Sequence, residues 1–142
     1  MRKTMTCFIV VACSCLAIAQ SGKQWKVVQS FTLAQQTANL PKTVVFVPTS
    51  SGLYRLSAYI SVFGQPHQNA WNVVFVWNDD NSGLPLSEKL KASSGGDGQA
   101  VAESGGYLFY PQAGVPLTYL VNHDGSIPQT TYAIGFTVEQ LE

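Results

Sequence analysis

The acidic loop at residues 78–83 is the stretch of this sequence that is best suited to bind a metal ion. It reads NDDNSG and places Asp79, Asp80 and Asn81 side by side. Carboxylate and amide oxygens are the ligands that calcium prefers. The spacing differs from that of an EF-hand loop, and Asp and Asn are also common in turns because their side chains bond the local backbone. Two interpretations remain open, a calcium site and an ordinary turn, and no other cofactor has a candidate site.

Histidine-based catalysis has a weaker basis. The chain holds two histidines, His67 and His123, each in or beside a turn signal. A triad drawn from Ser104, His123 and Asp124 would need adjacent side chains to converge, yet neighbours on a strand point to opposite faces. The stretch around Ser104 also lacks the strand-to-helix turn of a nucleophile elbow. We therefore interpret His123 and Asp124 as solvated turn residues and predict that the protein is not an enzyme, with a hydrolase of unknown type as the weaker alternative.

Exposed aromatic side chains would offer a third kind of chemistry, the binding of sugars. The candidates are Trp25, Trp71, Trp77, Tyr59, Tyr107, Tyr110 and Tyr119. In a sandwich without disulfides large aromatic residues more often belong to the core, since each can bury ~150–250 Å². Trp25 is the one that we most expect to be exposed. A carbohydrate-binding module is thus an alternative, with a glycan as the partner.

The elements that position these residues are strands. From residue 20 onward apolar residues recur at a spacing of two, and Gly, Pro, Asn, Asp and Ser interrupt them at short intervals, which is typical of an all-β sandwich or barrel. We predict a single antiparallel β-sandwich domain over residues 20–142, with eight or nine short strands. The predicted strands are 25–33, 43–47, 53–63, 71–77, 86–91, 99–103, 106–110, 116–122 and 130–139.

Two of these strands have unusual faces. The segment AWNVVFVWN at 70–78 is apolar on one face and also in the middle of the other, at Val74 and Val76. A half-buried strand should alternate apolar and polar residues, so we expect a cover on both sides. The sandwich core would cover one face; a partner subunit, a loop or the N-terminal segment would cover the other. The last strand carries small residues on its reverse face, which lets another surface approach. The predicted ligand or interface residues are Trp71, Trp77, Tyr59, Ala133 and Gly135.

Residues 1–19 resemble a signal peptide, with a basic start, a short apolar run and small residues before Gln20. We predict a secreted or periplasmic protein without a membrane span; lipid attachment at Cys13 and an uncleaved anchor are the alternatives. All three cysteines lie in this segment, so the mature domain would have no disulfide. Cleavage would leave six basic and eight acidic side chains, a net charge of −2. The sequence has no cluster of basic residues that would indicate a nucleic-acid partner.

Three segments carry a resemblance to a known fold family: FVPTSSGLYRLSAYISV, GGYLFYPQAGVPLTYLVN and TTYAIGFTVEQL. Together they resemble the compact jelly roll of complement globular-head and tumour-necrosis-factor-like domains, and also small jelly rolls of phage tails. The resemblance implies a jelly-roll architecture and a homotrimer. The sequence departs from the family's pattern at Val115, where an acidic residue is usual, so the family's binding sites do not transfer.

We therefore predict an exported, non-catalytic binding or structural module of jelly-roll type. Its expected partners are copies of itself, an extracellular protein or a glycan.

Overall fold

The structure, a computed structural model, describes residues 22–64, 70–93, 101–124 and 130–142. The predicted signal peptide, Cys13, His67 and the loop at 94–100 lie outside these residues. Within them the chain forms eight strands and no helix: β1 (Trp25–Gln36), β2 (Leu40–Phe46), β3 (Tyr54–Gly64), β4 (Ala70–Asn78), β5 (Pro85–Ser93), β6 (Val101–Phe109), β7 (Leu117–His123) and β8 (Thr130–Leu141).

The strands form two four-stranded sheets that pack face to face. One has the order β1-β8-β3-β6 and the other β2-β7-β4-β5. Every paired strand is antiparallel to its neighbour. Apart from β4 and β5, consecutive strands lie in different sheets, so the chain wraps around the sandwich as it does in an eight-stranded jelly roll. The predicted fold class is confirmed.

The core lies between the two sheets and is built from the apolar rows that the period-two pattern predicts. On β3 the inward row is buried throughout: Tyr54, Leu56, Ala58, Ile60 and Val62. On β8 it is Tyr132, Ile134, Phe136 and Val138. Phe136 joins the layers, since its ring centroid lies 5.0 Å from Phe31 and 5.7 Å from Phe75 across the sandwich. Side-chain packing is therefore what holds the two sheets together.

Strand β4 is apolar on both faces, as its sequence indicates. Trp71, Val73, Phe75 and Trp77 face the opposite sheet and are buried. Val74 and Val76 lie on the outer face, where each is half-buried by its neighbours within the sheet. Nothing in the described part of the chain covers this outer face completely. The expected burial of one face of β4 in the core is confirmed. A cover on its outer face stays a prediction.

The boundary predicted between strands 99–103 and 106–110 is wrong. Val101–Phe109 is one continuous strand that pairs with β3 along its whole length, with Gly105 opposite Ala58 and Gly106 opposite Ser57. The two glycines are extended residues within the strand and form no turn. Glycine at 105 leaves room for a neighbouring side chain, because a Cβ atom there would lie 2.6 Å from the Tyr107 hydroxyl oxygen and the Tyr107 side chain would have to shift.

Candidate functional site

The outer face of the β1-β8-β3-β6 sheet carries aligned rows of side chains, because the registers of all four strands match. One row runs across the sheet through small residues: Ser30, Thr137, Ser57 and Gly106. The next row along the strands reads Thr32, Gly135, Tyr59 and Ser104. Adjacent strands lie ~4.8 Å apart, so each row spans about 14 Å. Hydroxyl groups and glycine backbone therefore dominate the middle of this face.

These two rows form a groove of about 500 Å³ on the sheet surface, which we call the outer groove. Among the described residues that line it, Tyr59 is the one large outward-facing residue, and it is 42% exposed. The ring lies across Gly135, where a Cβ atom would come within 2.3 Å of it. Glycine at position 135 thus allows an aromatic ring to lie against the backbone of the neighbouring strand while another part of the ring faces solvent.

A bulky row borders the outer groove on one side and includes Arg55 and Glu139. The Arg55 Nε donates to a Glu139 carboxylate oxygen at 2.7 Å, and the guanidinium lies 4.6 Å from the centre of the Trp25 ring. This hydrogen bond, together with the charge of Arg55, lowers the pKa of Glu139. The two charges neutralise each other, so this row at the border of the groove carries no net charge. Trp25, the aromatic residue that we most expect to be exposed, is half-buried here: it is more exposed than Trp71 and Trp77 but less exposed than Tyr59.

The Arg55–Glu139 pair makes stability depend on pH. A carboxyl group whose pKa is lower in the folded state stabilises that state above its unfolded pKa, and the contribution is lost as pH falls through the folded pKa. We expect the midpoint temperature of thermal unfolding to decrease once the pH is lowered below the ordinary glutamate pKa of 4.5. The decrease should be smaller in Glu139→Gln. The measurement is thermal unfolding from pH 7 to pH 3. Glu103→Gln, at an exposed site on β6, is the matched control, and a Glu139→Gln curve parallel to that of the unmodified protein would contradict the prediction.

The outer face of the second sheet is apolar at its centre. Val44 pairs with Thr118, which pairs with Val76, and Leu120 pairs with Val74 in the adjoining row. Val44 is 55% exposed, whereas the other three apolar residues are half-buried. We call this set the apolar strip: Val44, Val74, Val76 and Leu120. Next to Val74 across the pairing with β5 lies Lys89.

Of the predicted ligand or interface residues, three lie together on the β1-β8-β3-β6 sheet and two lie in the core. Tyr59, Gly135 and Ala133 share the outer face of that sheet. Trp71 and Trp77 point between the sheets, with 0% and 7% of their surface exposed. Their burial within one chain leaves them almost no surface for a ligand. The sequence could not separate these two groups, because aromatic residues favour both cores and binding surfaces.

The acidic loop forms a hydrogen-bonded turn. One carboxylate oxygen of Asp79 accepts hydrogen bonds from the backbone N–H and the hydroxyl of Ser82, at 3.0 and 2.9 Å. Gly83 adopts a φ of 67°, a left-handed conformation that glycine reaches without strain. Asp80 and Asn81 are exposed. In the described ranges no three His, Cys, Asp or Glu side chains come together to hold a metal ion. Calcium binding at Asp79, Asp80 and Asn81 stays a prediction.

His123 differs from our expectation of a solvated turn residue, whereas Asp124 agrees with it. His123 ends β7, and its ring packs edge-on against Trp71 at 5.3 Å, so it is half-buried on the core side. Asp124 is exposed in the bend that follows β7, where it accepts hydrogen bonds from Lys91 and Asn72, each at 3.0 Å; these bonds lower its pKa. Ser104 lies on the outer face of the other sheet. The three residues of the hypothetical triad therefore do not converge.

The outer groove was missed by sequence reasoning. The small residues of β8 were visible in the sequence, but the matching Ser57, Ser104 and Ser30 lie on three other strands. Only the strand order brings them into adjacent positions. The available signal was the alternation on β3, where serines and Tyr59 share the face opposite the apolar row.

Comparison with known proteins shows the fold. No protein-family model and no curated protein sequence matches this chain. Among solved structures, the VP2 subviral particle of infectious bursal disease virus matches 84% of the chain at 9% identity with a TM-score of 0.50. The Gx strain of the same virus matches 95% at 9% identity with a TM-score of 0.51. The likeness is one of fold. The chain spans about a third of those viral chains, 33% and 36% of their length.

A second kind of neighbour is the CBM22-1 xylan-binding domain of Paenibacillus barcinonensis Xyn10C. It matches 86% of this chain and 83% of its own at 16% identity, with a TM-score of 0.37. None of the described segments forms an apolar helix long enough to cross a membrane.

Proposed function

We propose that this chain is an exported, non-catalytic structural or binding module that associates with copies of itself into a homotrimer. The observation that carries the proposal is the apolar strip on the outer face of the β2-β7-β4-β5 sheet. Val74 and Val76 give the central strand β4 a second apolar face, and Leu120 and Val44 extend it onto β7 and β2. Burying such a face against another copy removes apolar surface from water, which favours association.

Two further points support self-association. The mature domain would carry a net charge of only −2, so copies would repel each other weakly. Closed symmetric homo-oligomers are also the commonest assemblies of soluble proteins. Among the proteins that share this fold, the viral VP2 is described as part of a subviral particle. The resemblance of the sequence to trimeric jelly rolls is the reason for choosing three copies. Export rests on residues 1–19, whose sequence resembles a signal peptide.

Light scattering coupled to size-exclusion chromatography of residues 20–142 tests this proposal. We expect the mass of three chains at micromolar concentration, and the mass of one chain for Val74→Glu. The new carboxylate can pair with Lys89 on the neighbouring strand, so the single domain should keep its fold, yet burying that charge in an interface is costly.

The matched control is Leu108→Glu, which places a carboxylate opposite Arg55 on the outer face of the other sheet. It should leave the assembly intact, and circular dichroism should show the same β-structure in all three proteins. A monomeric unmodified chain, as expected if a loop or the N-terminal segment covers the apolar strip, would overturn the proposal. An unchanged mass in Val74→Glu would remove the apolar strip as the contact.

A further inference from the structure

The outer groove has features of a ligand site, and they are independent of the proposed self-association. It lies on the β1-β8-β3-β6 sheet, whereas the apolar strip lies on the opposite side of the sandwich. A ligand in the groove and a partner on the strip would therefore not compete. We propose that the outer groove binds a neutral glycan chain, with the Tyr59 ring stacked on the apolar C–H face of a pyranose ring.

The hydroxyl lining matches the chemistry of a sugar. Thr32, Ser57 and Ser104 line the groove, and within the described residues their side chains make no hydrogen bond to another protein group. Each hydroxyl can donate one hydrogen bond and accept two, as sugar hydroxyls can. A polyhydroxylated ligand can therefore exchange hydrogen bonds with several positions along the groove.

The absence of charge in the lining selects a neutral ligand. In the part of the chain that the structure describes, no Asp, Glu, Lys or Arg lines the groove, and the charged pair at its border, Arg55 with Glu139, is neutralised internally. A phosphorylated ligand or a nucleic acid would need basic side chains, which this surface lacks. A uronic-acid polymer would likewise meet, among the described residues around the groove, no cation other than the paired Arg55.

The position of the groove disfavours an extended peptide. Peptides that add to a sheet bind at its edge, where backbone N–H and C=O groups are free. The outer groove crosses the face of the sheet, where those groups are already paired between strands. An open trough about 14 Å long suits a short stretch of a linear polymer lying across the strands.

Tyr59 is held in a position that suits stacking. Its ring rests on Gly135, so it loses little conformational freedom when a ligand arrives, and 42% of its surface stays accessible. A rigid aromatic side chain with two torsion angles supplies contact area at low entropic cost. Tyr59 is thus the residue on which binding should depend most.

Affinity gel electrophoresis of residues 20–142 in gels that contain xylan, mixed-linkage β-glucan, mannan or alginate tests the inference. We expect retarded migration with at least one of the three neutral polymers and none with alginate. Tyr59→Ala should weaken that binding about tenfold or more, as loss of a central aromatic contact does, and Tyr59→Trp should retain it. Ser57→Arg should also abolish retardation, because its side chain would fill the groove.

Tyr110→Ala is the matched control, since Tyr110 is 44% exposed and lies outside the groove. It should bind like the unmodified chain. Migration unaffected by all four polymers, retardation by alginate alone, or equal retardation of the Tyr59→Ala and unmodified proteins would each overturn the inference. Light scattering measures the oligomeric state independently of glycan binding. A protein that binds no glycan would therefore not contradict the proposed self-association.

Discussion

Replacing Trp71 with alanine is expected to lower the free energy of unfolding by about 3–5 kcal/mol, the usual cost of truncating a buried tryptophan to alanine. Trp71 is fully buried, and its ring centroid lies 4.3 Å from Tyr132 and 5.3 Å from His123. The indole N–H donates to the Thr130 hydroxyl at 2.9 Å. The truncation therefore leaves a cavity and removes the hydrogen bond of a buried threonine at the same time.

Urea unfolding followed by far-UV circular dichroism measures this effect. Trp71→Phe separates the two causes, because it keeps most of the ring packing but removes the donor to Thr130. We expect Trp71→Phe to lower the free energy of unfolding, but by less than Trp71→Ala does. Tyr110→Ala, at an exposed site, should change stability by less than about 0.5 kcal/mol. A loss below about 1 kcal/mol in Trp71→Ala would contradict the packing that the structure shows.

The sandwich could be predicted from the sequence because its core rows follow a strict period of two. Leu56, Ile60, Ile134 and Val138 fall on inward faces wherever the strand boundaries are placed within a residue or two. A shift of one residue would move a whole apolar row into water, so this pattern fixes the face of each strand.

The glycines of β6 misled the sequence reading for a physical reason. A Gly-Gly pair usually indicates a turn, since glycine reaches positive φ without strain. In this strand the reason for glycine at 105 is space, because the Tyr107 side chain occupies the volume that a Cβ atom would need. Tyr107 lies two residues further along the same strand and packs against the core, and a single sequence does not show that its side chain lies over Gly105.

The outer groove depends on strand order, which lies beyond any local pattern. Tyr59 and Gly135 are separated by 76 positions in the sequence and become neighbours only because β3 pairs with β8. One of the four strands of the groove, β8 with its small residues, could be predicted to admit another surface. The sequence did not show that this surface is an aromatic ring of the same chain.

Because Tyr59 lies against Gly135, the effect of Gly135→Ala on stability should depend on whether the Tyr59 side chain is present. Adding a methyl group with Gly135→Ala would bring it within 2.3 Å of the Tyr59 ring, so the ring or the strand must move. We expect a loss of about 1–3 kcal/mol, the range for overpacking a tight site. In a Tyr59→Ala protein the same substitution should cost nothing or stabilise by about 0.5–1 kcal/mol, because alanine loses less backbone entropy than glycine in a strand.

A double-mutant cycle of Gly135→Ala and Tyr59→Ala, measured by urea unfolding, gives the coupling between the two positions. Gly106→Ala is the matched control: it lies on the same face of the same sheet, its φ is not positive, and no atom lies within 4 Å of the added carbon. It should be neutral or slightly stabilising. Equal costs of Gly135→Ala in both backgrounds would mean that the ring does not rest on this glycine. Glycine at 135 would then reflect some other demand of the strand, and Tyr59 would lose the support that makes it a rigid surface for stacking.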